Sequence, residues 1–301
     1  MRKYRTCFFI ILLAVVYSCK TVSKKQLKNT SSIEVQGHRG DRGNFPENSL
    51  EAFISAIDKG VDVIELDIVV SKDKKIVISH EPFMSSQYVS LPDGTSILKE
   101  KEKSYNLYQM TYDSIKKFDA GSKGNPGFPK QKRIKTYKPL LSELIDSVEN
   151  YIVKNKLQRV RYNIEIKSST NEYDISQPQP ERFVEMVMEL VKKKGVQDKI
   201  NIQSFDPAIL NALYKKYPAI KTAFLAGNKG LEENLSKLNF LPQIYSPYYK
   251  LVNKPLVDSV KALKMRIIPW TVNEEEDIDK MIKLKVDGII TDFPEKVLKK
   301  L

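Results

Sequence analysis

The sequence predicts an α/β fold, a (β/α)8 barrel of the TIM type with an inserted segment near the barrel mouth. Three observations carry this. Short runs rich in Val, Ile, Phe and Tyr alternate with helical patterns, which argues a parallel sheet with helices between its strands. Nine such runs occur, one more than a closed eight-stranded barrel needs. One stretch, residues 81–139, breaks the alternation and is rich in Ser, Tyr, Lys, Gly and Pro. The chain has 301 residues, 41% hydrophobic and 29% charged, which suits one sizeable globular domain.

The elements follow in chain order. "MRKYR" is a positive start, and "TCFFIILLAVV" is an apolar run too short to span a bilayer. With "VYSC" after it, this resembles a bacterial lipoprotein signal peptide over residues 1–18, with Cys19 as the lipidated residue. Tyr17 is bulkier than that pattern prefers, and an uncleaved anchor is the alternative. Acyl chains contribute roughly 0.8 kcal/mol per buried CH2, so two or three make a durable anchor. Cys7 and Cys19 are the only cysteines, so the processed domain has no disulfide and no free thiol chemistry. Residues 19–32 read as a lipidated polar tether, and 33–301 as the catalytic barrel. The net charge is +13, of which three charges belong to the signal segment. A basic surface can favour anionic partners or be solvated face.

The strand runs are "IEVQGH", "VDVIELDIVV", "KIVISH", "RYNIEIK", "KINIQSF", "KTAFLAG", "QIYSPYY", "RIIPWTV" and "VDGIITDFP". "NSLEAFISAIDKG" follows the first with an Asn48 N-cap, an apolar face of Phe53, Ala56 and Ile57, and a Gly stop. "QPERFVEMVMELVKKKG" and "NEEEDIDKMIKLK" repeat the design, the latter capped by Asn273. The extra strand is "KIVISH", because "SKDK" is too short for a parallel crossover, which needs about a dozen residues. It therefore forms a hairpin with "IELDIVV". A turn at Asp73-Lys74 sets Asp67 opposite His80, with Cβ atoms roughly 5 Å apart. "LLSELIDSVENYIVKN" is the helix that returns the chain to the barrel after the insert. Asp292 in "TDFP" reads as a cap for the last helix.

The chemistry sits at strand ends, where (β/α)8 barrels carry their working residues. The chain's only two histidines, His38 and His80, both end strand runs. Glu65 and Asp67 lie two apart on one strand and so share a face, and Glu165 and Lys167 repeat this. Buried carboxylates are costly unless paired or bound to metal. They can form ion pairs with Arg39 or Lys167, or hold a hard divalent cation, Mg2+ or Ca2+, better than Zn2+. A cation, Arg39, Lys167 and two histidines suit a phosphodiester, with one histidine taking a proton and the other giving one. Gln203, Phe205 and Trp270 are candidates for lining the substrate site, or for filling the barrel.

The series "GHRG", "PENS", "IELDI", "IVISHE", "NIEIK", "QSFD", "WTVN" and "DGIITDFP", spanning Gly37 to Pro294, resembles the glycerophosphodiester phosphodiesterase family. The resemblance implies hydrolysis of glycerophosphodiesters to glycerol 3-phosphate and an alcohol, with one divalent cation. It implies His38 and His80 as acid–base pair, Glu65, Asp67 and Glu165 as metal ligands, Arg39 and Lys167 as phosphate contacts, and Trp270 at the mouth. His80-Glu81 stands where the family often has His-Asp, Ser49 where it often has Thr, and Lys74 where it favours Gly. His80, facing Asp67, is read as the acid. Activity on intact lipid, as a lysophospholipase D or phospholipase C-like enzyme, is one alternative, and a non-catalytic phosphate-ligand-binding envelope protein is another. The expected partners are a small glycerophosphodiester and, through the lipid, a membrane, with no nucleic acid. The expected location is the bacterial cell envelope, lipid-anchored, with Lys20 after the cysteine favouring the outer membrane by resemblance.

Overall fold

The structure, a computed structural model, describes residues 32–227 and 230–301. The expected signal peptide, Cys19 and nearly all of the tether lie outside the described residues. All nine strand runs form strands. They are β1 (Glu34–Gly37), β2 (Val63–Val70), β3 (Ile76–Ile78), β4 (Arg161–Ile166), β5 (Ile200–Ser204), β6 (Lys221–Ala226), β7 (Ile244–Pro247), β8 (Arg266–Ile267) and β9 (Gly288–Thr291). Eight are parallel in the order β8-β7-β6-β5-β4-β2-β1-β9, and β3 hangs antiparallel on β2. No ladder joins β8 to β9. Instead Asp287 N donates to Ile267 O, Ile290 N to Pro269 O and Val272 N to Ile290 O, at 2.9–3.0 Å. Pro269, which has no N–H to give, interrupts this seam. The result is a nearly closed (β/α)8 barrel.

Helices clothe the barrel because each has one apolar face. In α1 (Leu50–Lys59) the buried side is Ala52, Phe53, Ala56 and Ile57, and Gly60 ends the helix at φ 95°. Its cap is Ser49, whose Oγ accepts from Ala52 N at 3.1 Å, not Asn48. The long helices α3 (Leu141–Asn155) and α4 (Pro180–Lys194) follow the expected segments, and the shorter α2 (Tyr112–Ile115), α5 (Pro207–Lys216), α6 (Leu231–Leu235) and α7 (Lys254–Ala262) fill the intervals before and after them. In α8 (Glu275–Lys283) the cap position is Glu274, and Asn273 is used elsewhere. The last helix, α9 (Pro294–Leu298), is preceded by Phe293, and Asp292 does not cap it.

The hairpin departs from expectation by one residue. Its pairs are Ile68 with Ile78, Val69 with Val77 and Val70 with Ile76, which brings Ser79, not His80, opposite Asp67. The reason is the turn. Ser71 and Lys75 close a three-residue loop, with Ser71 N donating to Lys75 O at 2.9 Å and Lys74 in the left-handed region at φ 60°. β3 still descends alongside β2 to the level of Asp67, whose carbonyl accepts from Ser79 N at 3.0 Å.

Residues 81–139 have a small core of their own. Met84, Tyr88, Leu107 and Ile115 pack with Val69 and Val77, on the outer face of the hairpin. The interior of the barrel is strongly polar. Asn163 donates to Gln36 at 2.8 Å and to Gln203 at 2.9 Å, and Gln36 donates to Glu34 at 2.5 Å. Among the described residues, no helix is long and apolar enough to cross a membrane.

Candidate active site

Register builds the acidic centre. Asp67 on β2 is the direct partner of Glu165 on β4, and Glu65 shares the face of Asp67 two residues earlier. Their carboxylate oxygens lie within 4.8 Å of one another, and all three residues are buried. Like charges so placed repel, and the protons respond. Burial and then Asp67 and Glu165 push the Glu65 carboxyl well above the usual range. Burial opposes ionisation of Asp67, yet Arg39, His80 and Lys167 together hold it far below that range.

Each carboxylate is tied down on one side. Glu65 accepts from Arg39 N at 2.8 Å and from Gln203 Nε2 at 2.7 Å. Asp67 Oδ2 accepts from Asn48 Nδ2 at 2.8 Å and lies 3.2 Å from Arg39 Nε, without hydrogen-bond alignment. Glu165 Oε1 accepts from Lys167 Nζ at 2.6 Å. Asp67 Oδ1 is buried with no hydrogen-bond partner. An orphaned carboxylate oxygen facing two more carboxyl groups is a set of hard oxygen donors that fits a divalent cation. Charge agrees. Counted with every carboxyl ionised, Glu47, Glu65, Asp67, Glu81, Glu165 and Asp292 surround the site against Arg39, Arg42, Lys138 and Lys167, a formal shortfall of two positive charges that a divalent cation would fill.

The strand ends bring the remaining expected residues to one cavity of about 160 Å3, lined by His38, Arg39, His80, Lys167, Gln203, Phe205 and Trp270 with Glu65 and Glu165. Arg39 is committed to carboxylates. Its Nη1 donates to Glu47 at 2.8 Å, and its backbone is left-handed at φ 50°. Phe205 and Trp270 meet edge to face with centroids 5.3 Å apart, and Trp270 Nε1 donates to Ser246 O at 2.9 Å. Gln203 is buried, so its amide supports Glu65 from inside the barrel.

Local reading of the sequence missed several groups. His38 Nδ1 donates to Asp292 Oδ1 at 2.7 Å. Asp292 is ionised, held at about 2 although burial opposes it, because His38, Arg42 and Asn273 favour its charge. Asn273 Nδ2 donates to Asp292 Oδ2 at 2.7 Å. The expected caps Asn48, Asn273 and Asp292 all serve the site instead. Burial lowers the His38 pKa, and Arg39 and Arg42 add to this, while Asp292 opposes it. Arg42 Nε donates to Glu47 at 2.8 Å and the guanidinium covers Phe128 at 4.7 Å. Arg42 and Glu47 stand in the same stretch as His38, and only their proximity to it could have marked them.

Comparison with known proteins adds to this geometry. Residues 38–296 match the model of the glycerophosphoryl diester phosphodiesterase family. A glycerophosphodiester phosphodiesterase of Caldanaerobacter subterraneus subsp. tengcongensis is 31% identical over 266 residues, covering 88% of this chain and 96% of its own. A crystal structure from Silicibacter pomeroyi DSS-3 superposes with a TM-score of 0.80 at 27% identity, over 91% of this chain and 95% of that one. An Oleispira antarctica phosphodiesterase, solved with the product sn-glycerol-3-phosphate, shares the fold with a TM-score of 0.69 at 22% identity, over 88% and 95% of the two chains.

Proposed function

Because the chain belongs to the glycerophosphoryl diester phosphodiesterase family and is a phosphodiester hydrolase, we propose that His38 and His80 are its general base and acid and that it depends on a divalent cation. The products are glycerol 3-phosphate and an alcohol. The observation that carries this is that Glu65 and Glu165, which cluster with the buried Asp67, share one small polar cavity with both histidines. Glu65, Asp67 and Glu165 would hold Mg2+ or Ca2+, which supplies neutralisation of the charge that builds on the phosphoryl oxygens. Arg39 and Lys167 line the same cavity and would contact the phosphate there. Their ion pairs with Glu47, Asp67 and Glu165 keep both side chains extended toward the cavity.

His38 is the base. A buried ring flanked by two arginines is neutral near pH 7, and its Nδ1–H is bound by Asp292, which leaves Nε2 as the proton acceptor. It takes the proton of the attacking hydroxyl, from water or from the substrate's own glycerol 2-hydroxyl. His80, more exposed, returns a proton to the leaving alkoxide. A lipid anchor at Cys19 in a bacterial envelope belongs to the same proposal and rests on the sequence of residues 1–20. Loss of acyl-chain labelling in Cys19→Ser would test it.

Full-length protein in detergent, supplied with glycerophosphocholine or glycerophosphoethanolamine, should release glycerol 3-phosphate with Mg2+ or Ca2+ and stop with chelator. His38→Ala should lose the release by about 10²-fold or more. Release that survives chelator would refute the metal. Turnover of lysolipid only would move the substrate to intact lipid, and cation binding without any turnover would leave a binding protein.

A further inference from the structure

His80 stands where the hairpin ends and the insert begins. Its Nδ1 lies 2.9 Å from Oε1 of Glu81, the next residue in the chain. The other oxygen, Glu81 Oε2, accepts a short hydrogen bond from the Tyr88 hydroxyl, which comes from the core of the insert. The Glu81 carbonyl accepts from Ser79 Oγ at 2.6 Å, and Ser79 Oγ accepts from Lys138 Nζ at 2.8 Å. Lys138 is buried at the far end of the insert, with its ammonium 5.5 Å from the Tyr88 ring centroid. Ile78 N donates to Pro139 O at 2.8 Å, so the two ends of the insert are stitched together beside His80.

We propose that Glu81 is the positioning residue of His80, and that the insert, through Tyr88 and Lys138, holds Glu81 in place for that task. This rests on the reading of His80 as the acid. Tyr88 donates to one oxygen of Glu81 and His80 donates Nδ1–H to the other, so the imidazole is fixed as one tautomer with Nε2 left for the substrate oxygen. Burial opposes the Glu81 charge, but His80, Lys138 and Tyr88 hold its carboxyl far below the usual range. Burial, Glu47 and Glu81 keep the Tyr88 phenol protonated. Donor and acceptor roles are therefore unambiguous. Other anions face His80 from Asp67 on β2, Glu165 on β4 and Glu47 of the β1–α1 loop. Among the described residues Glu81 is the one that hydrogen-bonds its ring. The insert is then part of the catalytic framework as well as a wall of the mouth.

The test compares Glu81→Gln, Glu81→Asp, Tyr88→Phe and His80→Ala in the full-length protein, reading kcat and KM on glycerophosphocholine. Glu81→Gln should lower kcat on the order of 10- to 100-fold with KM within about twofold, and Glu81→Asp, which keeps the carboxylate, should recover part of that loss. Tyr88→Phe keeps the ring in the insert core and should lower kcat less. An inactive His80→Ala beside Glu81→Gln and Tyr88→Phe variants with wild-type kcat would overturn the proposal. An active His80→Ala would sink the acid assignment itself, and this inference with it.

Discussion

His38 Nδ1 lies 2.7 Å from an Asp292 carboxylate that is itself gripped by Asn273, so the ring has one hydrogen-bonding sense and one free nitrogen. Asp292→Asn can offer an amide N–H to that ring and stabilise the wrong tautomer. It should cut kcat by about 10²- to 10⁴-fold with little change in fold, measurable by steady-state kinetics beside a melting curve. The sign of the pH effect follows from the lowered His38 pKa. A base with a lowered pKa stays deprotonated further into acid. The acid limb of kcat/KM should therefore fall below the ordinary histidine value of about 6.5, and a limb above it would contradict His38 as base. Sequence reading singled out both histidines and the three acids, which the fold brings together, because their residue types and positions on strands are unusual. It missed Asp292, Asn273 and Asn48 because Asp and Asn next to a helix have an obvious local use as caps. The fold gave that use to Ser49 in one case and left it unfilled by a side chain at α8 and α9.

At the scale of elements, the β1–α1 loop carries the most constraint. Arg39 and Asn48 are both left-handed, at φ 50° and 56°, and each sends a group to a candidate metal ligand. Between them Gly40, at φ 84°, lets the loop touch α1. A Cβ there would meet the Ala52 carbonyl carbon at 2.6 Å. Gly40→Ala should therefore lower stability by about 2 kcal/mol or more and lose activity further, as Arg39 is displaced. A melting temperature equal to wild type would contradict this. The strands themselves were legible, since each is a Val/Ile-rich run between breakers. The hairpin register was not, because a three-residue loop with its left-handed position at a lysine carries none of the Asn-Gly or Asp-Gly signal that marks such turns.

For the whole molecule, the balance of charge around the mouth is the dominant fact. Three buried carboxyl groups on adjacent strands oppose folding, and a cation held among them would relieve that cost. Saturating Mg2+ or Ca2+ at 100 times its Kd should stabilise the native state by about 2.7 kcal/mol, a rise of roughly 5 °C in Tm for a domain of this size. Glu165→Gln removes one charge, keeps an oxygen for Lys167, and should abolish that rise without unfolding the protein. An unchanged response to cation in the variant would argue that the acids are structural. The barrel and its mouth were predictable from alternation alone. The polar interior that braces Glu65 was not, because Gln36, Asn163 and Gln203 look like ordinary strand polar residues until the ring brings them together.

His38 and Asp292 are 254 residues apart in the chain. During synthesis the histidine leaves the ribosome among the first residues of the domain and its aspartate among the last. A nascent chain can build most of its strands and still lack a correctly oriented base. If His38 is the base, hydrolysis would begin only when β9 docks against β1, so the contact that brings the two strands together would also switch on the chemistry. Turnover would then report directly on whether these two distant ends of the barrel had met.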